Sequence, residues 1–189
     1  MIQIKYKSYV SEIGGIWFLV ILVDDRVVAS SFSGKGKKHA LFRVKNRLPK
    51  NSRLSKTKPE GIAIDVINNM DSIYKGKPIQ RQFELDMDRL SSFTRKVLLK
   101  TCEIPRGFVA TYGGIAHVLR KKGAARAVGN AEANNPFPPI VPCHRVVRSD
   151  LTLGGYGGDL NVKRAILERE GVIFKGNCVI TENLWKFEE

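Results

Sequence analysis

The sequence predicts a mixed α/β fold of the α+β kind: an N-terminal domain of sheet plus helix, followed by a mostly helical domain with a helix-turn-helix. Three observations carry this. Three short runs rich in β-branched and aromatic residues succeed one another in the first 33 residues, separated by two-residue turns. From residue 38 onward the apolar residues recur mainly at helical spacing. Residues 112–134 hold two short helical patterns joined by a glycine-containing turn. A chain of 189 residues suits one large or two small domains. We expect two, at 1–85 and 90–180, with the boundary near residues 82–90.

Residues 1–10 alternate loosely (Ile2, Ile4, Tyr6) and read as a strand. Gly14-Gly15 turns the chain, Ile16 to Val23 reads as a buried strand, Asp24-Asp25 turns it again, and Arg26 to Phe32 completes a meander. Leu41, Val44 and Leu48 space a helix over 38–48. Residues 49–59 are polar and basic and read as an exposed loop. Ile62, Val66, Met70 and Ile73 form one stripe of a helix over 60–73, which Gly76 and Pro78 end. Residues 79–85 could add a strand. In the second half Ser91 or Ser92 can cap a helix with Phe93, Val97, Leu98, Thr101 and Ile104 on its apolar face, Cys102 lying near that face. Helices over 112–120 and 124–134 follow, then a helix over 160–170 with Val162, Ala165, Ile166 and Leu167 inward, and strand pieces at 172–174 and 178–180. Leu184, Trp185 and Phe187 can dock on the core.

The composition bounds the function. Lys and Arg exceed Asp and Glu by 14, with ten basic residues and no acid between Lys35 and Lys58. Such a surplus favours a polyanion, most simply nucleic acid, although a solvated face is an equal reading of the 35–58 run. No stretch approaches the ~18–20 apolar residues of a membrane helix. No signal-peptide pattern opens the chain, so we expect an intracellular protein, cytoplasmic or nucleoid-associated, with no membrane partner. Three widely spaced cysteines, Cys102, Cys143 and Cys178, argue against a disulfide framework and against a paired-ligand metal site. His39, among lysines, reads as a surface residue.

The chemistry points to residues 135–147, which hold four of the eight prolines and set Cys143 directly before His144. Prolines fix φ and deny a helix, so a stiff, extended loop is expected, with Val146-Val147 opening a short buried strand. A thiol on a rigid support beside an imidazole is what a cysteine nucleophile needs. A lone cysteine is more often an inert core residue, but a core cysteine needs no such support.

The run Pro142-Cys143-His144-Arg145-Val146 resembles the active-site motif of the O6-alkylguanine-DNA alkyltransferases, the methylated-DNA–protein-cysteine methyltransferases. Asn135-Pro136 before it and Gly154-Gly155-Tyr156-Gly157-Gly158 after it fit the same family, and the resemblance covers roughly residues 93–171. It implies stoichiometric transfer of the alkyl group of O6-alkylguanine in DNA to Cys143; O4-alkylthymine is a second lesion it admits. It implies a single-turnover enzyme acting on double-stranded DNA; we expect a monomer, and the displacement chemistry itself requires no cofactor and no metal. His144 would take the thiol proton through a water, oriented by Glu170, for which Glu168 is the nearby rival. Tyr112, in Ala110-Thr111-Tyr112-Gly113, is the candidate donor to the leaving guanine; read alone it would be a core tyrosine. Pro138 and Val146 would line the alkyl pocket and Tyr156 would wall the base, while Gly157 lacks the hydroxyl many relatives carry there. Arg126 would fill the space left by an extruded base, with Ala125, Ala127 and Gly129 keeping its helix thin enough for the minor groove, only about 6 Å wide. Asn135 would tie that helix to the active-site loop and is also expected among the substrate-binding residues. Arg145 reads as a structural pair rather than a DNA contact. Glu132, on the same helix, would repel phosphates unless it points away.

Three rivals stand beside this. A Cys143–His144 hydrolase would need an oxyanion hole and would turn over. A non-enzymatic sensor of alkylated bases would not need Cys143. A helix-turn-helix regulator leaves the proline-supported cysteine unexplained.

Overall fold

The computed structural model describes residues 6–45, 47–48, 52, 54–79, 81–155 and 159–187. The chain forms two units: 1–73 with 79–89 and 136–140, and 74–78 with 90–135 and 141–189.

The first unit is built on a four-stranded sheet. Strands β1 (Tyr6–Ile13), β2 (Ile16–Val23) and β3 (Arg26–Ser33) form an antiparallel meander, and β4 (Leu54–Thr57) joins β1 in parallel, giving the order β3-β2-β1-β4. Both hairpin turns need positive φ, which Gly14-Gly15 and Asp24-Asp25 supply (φ +58, +79, +47 and +62). Helix α1 (Lys37–Lys45) lays Ala40 and Val44 on Leu19, Ile21, Val28 and Ala29. Edge strand β3 is not left open: Val27 exchanges backbone bonds with Glu84 and Asp86, and the Ser30 N–H donates to the Pro136 carbonyl. Helix α2 (Ile62–Tyr74) buries Val66, Met70 and Ile73.

Two expectations need correction here. The loop expected over 49–59 contains β4, four residues whose one large apolar side chain gave no period to read; open-edge pairing with β1 makes it a strand. The strand considered at 79–85 is reduced to a single bridge, Leu85 to Val27.

The second unit packs α3 (Ser92–Cys102), α4 (Tyr112–Val118) and α5 (Ala125–Ala133) around Val97, Ile104, Ile115, Val128 and Val146. Ser91 caps α3, its hydroxyl accepting the Thr94 N–H. Strands β5 (Ala110–Thr111) and β6 (Val146–Val147) pair in parallel beneath. Helix α6 (Leu160–Arg169) and the hairpin β7 (Phe174–Lys175) with β8 (Cys178–Val179) close a second cluster around Val109, Val147 and Leu167. The tail docks: the Trp185 N–H donates to the Val109 carbonyl, and its ring meets Phe108 edge-on. Cys102, expected near the core, is exposed at the end of α3. Among the described residues no helix is long and apolar enough to cross a membrane.

Candidate active site

Cys143 opens a single 3-10 turn, Cys143–Arg145, that delivers the chain into β6. The preceding segment runs through bends and turns rather than one extended stretch. The Cys143 N–H reaches back to the Val141 carbonyl and the Arg145 N–H to Pro142, so the turn closes on itself. Asn135, fully buried, donates its side-chain amide to the Val141 carbonyl at 3.0 Å, fixing the end of α5 to this turn. Cys143 is buried, at 6% exposure for the whole residue.

His144 and Glu170 meet behind it. The His144 Nε2–H donates to Glu170 Oε1 at 3.1 Å, with both side chains sealed from solvent. A carboxylate only accepts, so Nε2 carries the proton and Nδ1 keeps the lone pair. Nδ1 is buried with no hydrogen-bond partner among the described residues. Burial pushes His144 below its ordinary value while Glu170 pulls it up; the balance is downward, so the imidazole is neutral. Glu170 is pushed up by burial, but hydrogen bonds from His144 and Arg145 outweigh this and hold it at about 2. Arg145 donates Nε to Oε2 and an Nη to Oε1, and its other Nη to the Ile104 carbonyl. Glu168 faces outward and pairs with Arg164 at 2.8 Å.

Lys163 is a buried residue of this region that sequence reasoning missed. It is fully buried, and its Nζ donates to the carbonyls of Val146 (2.7 Å) and Leu153 (2.6 Å). The ammonium therefore ties β6 to the glycine-rich segment. Burial pushes Lys163 down to about 8, against the pull of charge at Cys143 and Glu132. The signal was available: 163, 166, 167 and 170 share one face of α6, and a lysine stands among its inward positions.

Glu132 points away from solvent into the core. Its Oε1 meets the hydroxyl of Thr101, which also lies 2.9 Å from the Val97 carbonyl. The hydroxyl has one proton and the carbonyl can only accept, so the second bond is complete when the carboxyl itself is the donor. Burial agrees, raising Glu132 to about 7 against the opposing effects of Thr101 and Lys163.

The same unit holds a cleft of about 910 Å³ lined by Tyr112, Ala125, Arg126, Gly129, Arg148 and Gly155, among others; Cys143 is not one of its lining residues. Tyr112, half-buried at the start of α4, donates its hydroxyl to the Gly155 carbonyl at 2.9 Å. Burial first, then charge at Glu132 and Cys143, pushes it up to about 12, so it stays a phenol. Gly154 sits under it at φ +67; a Cβ there would lie 3.0 Å from both the Tyr112 ring and the Arg148 side chain. Arg126 and Ala127 are exposed on α5.

Two expected pocket residues do not line this cleft. Val146 is fully buried in the helical core, because pairing with Ala110 turns it inward. Pro138 belongs to the first unit, where it is buried and its carbonyl accepts the Ser30 hydroxyl. Asn135, expected as a substrate contact as well as a tie, holds the loop and is absent from the cleft lining. Tyr156 and Gly157 lie outside the described residues. Among the described residues no group of three or more His, Cys, Asp or Glu is placed to hold a metal ion.

Residues 92–172 match the family model described as 6-O-methylguanine DNA methyltransferase, DNA binding domain. The methylated-DNA–protein-cysteine methyltransferase of Mycobacterium tuberculosis is 34% identical over 148 residues, 78% of this chain and 89% of the relative. The crystal structure of Mycobacterium tuberculosis OGT in complex with DNA superposes with a TM-score of 0.67 at 31% identity, over 88% of this chain and 92% of that one. The O6-methylguanine-DNA methyltransferase of Pyrococcus kodakaraensis superposes with a TM-score of 0.67 at 27% identity, over 88% and 99%.

Proposed function

The chain belongs to the methylated-DNA–protein-cysteine methyltransferase family, and on that premise we propose that it repairs DNA by moving the alkyl group of O6-alkylguanine to Cys143. The observation that carries the reading is the buried pair of Glu170 and His144, which leaves Nδ1 of a neutral imidazole free to take a proton beside the cysteine in sequence. An unperturbed thiol is only a few per cent thiolate at neutral pH, so a base of this kind is needed.

The step balances simply. The thiol proton passes to His144 through a water. The sulfur anion attacks the sp3 carbon in line, the C–S bond forms, the C–O6 bond breaks, and its electron pair stays on the guanine. Tyr112 leaves its bond to Gly155 and gives its proton to the departing base; the imidazole releases the thiol proton to water, and Tyr112 takes one proton back from water, so the balance closes. The thioether has no carbonyl for water to attack, so each chain reacts once.

A base inside a duplex is out of reach of the sulfur, so the reading includes extrusion of the nucleotide. Arg126 on the rim of the cleft is the side chain we assign to the vacated space. Gly129 supports close approach of α5 to the groove. A Cβ there would meet Tyr112 at 3.9 Å, an ordinary contact, so the protein's own packing does not require the glycine. O4-alkylthymine is a second substrate of the same chemistry. The monomer is the expected unit, since one chain supplies the relay.

Intact mass spectrometry after incubation with an O6-methylguanine duplex tests this. The expected result is a single gain of one CH2 at Cys143, abolished in Cys143→Ser. Repeated turnover without modification would favour a hydrolase instead.

A further inference from the structure

The basic surplus of the first unit takes no part in this chemistry. Helix α1 packs Ala40 and Val44 against the sheet. That turns Lys38, Phe42 and Lys45, at i, i+4 and i+7, to the outside, all exposed, with Phe42 at 64%. The flank of the same helix helps to form a cleft of about 300 Å³ lined by Ser8, Lys37, Leu41, Thr57 and Lys58, among others. Lys37 rests over the Trp17 ring, 5.7 Å from its centroid, which steadies one wall of this cleft. Lys38, Lys45 and Lys58 form no ion pair among the described residues. A merely solvated helix face usually interleaves both signs at i, i+4 spacing. This one carries a single sign and brackets an exposed aromatic ring.

We propose that the outer face of α1 and its adjoining cleft form a second polyanion-binding surface, which takes the phosphate backbone of DNA. Lys38, Lys45 and Lys58 neutralise phosphates, the Thr57 hydroxyl offers a donor, and Phe42 lies against sugar. The inference rests on DNA being the substrate but uses none of the residues around Cys143.

Counterion release gives the test a number, because each phosphate contact contributes about 0.9 to the slope of log affinity against log salt. Binding of the full chain to a short undamaged duplex is followed by anisotropy between 50 and 200 mM salt. The triple variant Lys38→Gln, Lys45→Gln, Lys58→Gln should have a slope shallower by roughly 2.7, so that wild type loses ~40-fold more affinity over that range. Lys77→Gln, Lys96→Gln, Lys175→Gln in the second unit serves as the charge-matched control. An unchanged slope in the first variant, or an equal change in the control, overturns the surface. So does loss of binding to phosphatidylserine vesicles with duplex binding intact, which would mark a membrane contact. Free O6-benzylguanine reads the transfer chemistry separately: both proteins should be benzylated at Cys143 at the same rate. A wild type that is never benzylated would sink the transfer reading, while the slopes would still judge the surface.

Discussion

The guanidinium of Arg145 grips the carboxylate of Glu170 through two parallel bonds, Nε to Oε2 at 2.9 Å and an Nη to Oε1 at 2.7 Å. The residue two places after Cys143 thus anchors the carboxylate that is bonded to the residue one place after it. The Cys-His-Arg run is a single mechanical unit, and Glu170 is the point it turns on.

Removing Arg145 leaves a buried carboxylate without its cation and the Ile104 carbonyl without one donor. Arg145→Ala should cost about 3–5 kcal/mol in urea unfolding, the range for breaking a buried pair from one side. Arg145→Lys keeps the charge but loses the planar fork, and should fall between. A loss under about 1 kcal/mol for the alanine variant would mean the pair is not structural.

Acid should unfold the protein through this same cluster. Glu170 titrates near 2 in the folded chain against 4.5 unperturbed. Its contribution is therefore complete above 4.5 and lost as pH falls toward 2, on the order of 3 kcal/mol. His144 is lowered from 6.5 and stays neutral when folded, so the unfolded chain binds its proton first and stability also falls below 6.5. Urea titrations at several pH values check this: the gap between wild type and Glu170→Gln should be widest at neutral pH and close in acid. Benzylation by free O6-benzylguanine should follow the thiol's own pH dependence with no added break from His144 as pH falls through 6.5, since its value is lowered.

Glu132 has the opposite sign. Its folded value, about 7, stands above the unperturbed 4.5, so its contribution is full below 4.5 and declines as pH rises to 7. Glu132→Gln keeps the shape and a donor to Thr101 without the ionisation. It should stabilise the protein at pH 8 by up to about 3 kcal/mol and make little difference at pH 4.5. A pH-independent effect would contradict a neutral carboxyl in that core.

Lys163→Met removes a buried ammonium whose charge reaches Cys143. Two carbonyls lose their donor, at about 1–3 kcal/mol each, so stability alone cannot reveal a role in the reaction. The pH profile can. The pH profile of benzylation should move upward, because the positive charge that favours the thiolate is gone. An unmoved profile with a slower rate would confine Lys163 to holding the loop.

The sequence exposed the large pattern because local rules and tertiary structure agree there. Strands β2 and β3 lie within a residue of their expected bounds, since two-residue turns frame each run. β4 was hidden because pairing with a distant edge, not its own composition, makes it a strand. Around the site, helical spacing already separated Glu170 from Glu168, and of the two it is Glu170 that is bonded to His144 while Glu168 pairs with Arg164 in solvent. Lys163 was passed over because a lysine counts as polar, although its shared face with Ile166, Leu167 and Glu170 was readable; the carbonyls that enclose it explain the inward placement. Val146 is ambiguous in sequence for the converse reason: apolar and three residues past the cysteine, it fits a pocket wall or a core equally, and its pairing with Ala110 goes with burial in the core.

Gly129 and Arg126 separate what α5 does for the protein from what it does for the duplex. Nothing in the fold excludes a methyl group at position 129, where the nearest atoms are those of the Tyr112 ring at 3.9 Å. Gly129→Ala should therefore raise thermal stability, by about 0.5–1 kcal/mol from helix propensity. If the backbone there meets the groove, the same change should slow repair of an O6-methylguanine duplex while benzylation by the free base continues at the wild-type rate. Arg126→Ala should show the same split without the gain in stability, because an exposed side chain supports the extruded state and not the fold. Equal losses on duplex and free base, in either variant, would place the effect at the sulfur and count against a groove-facing α5.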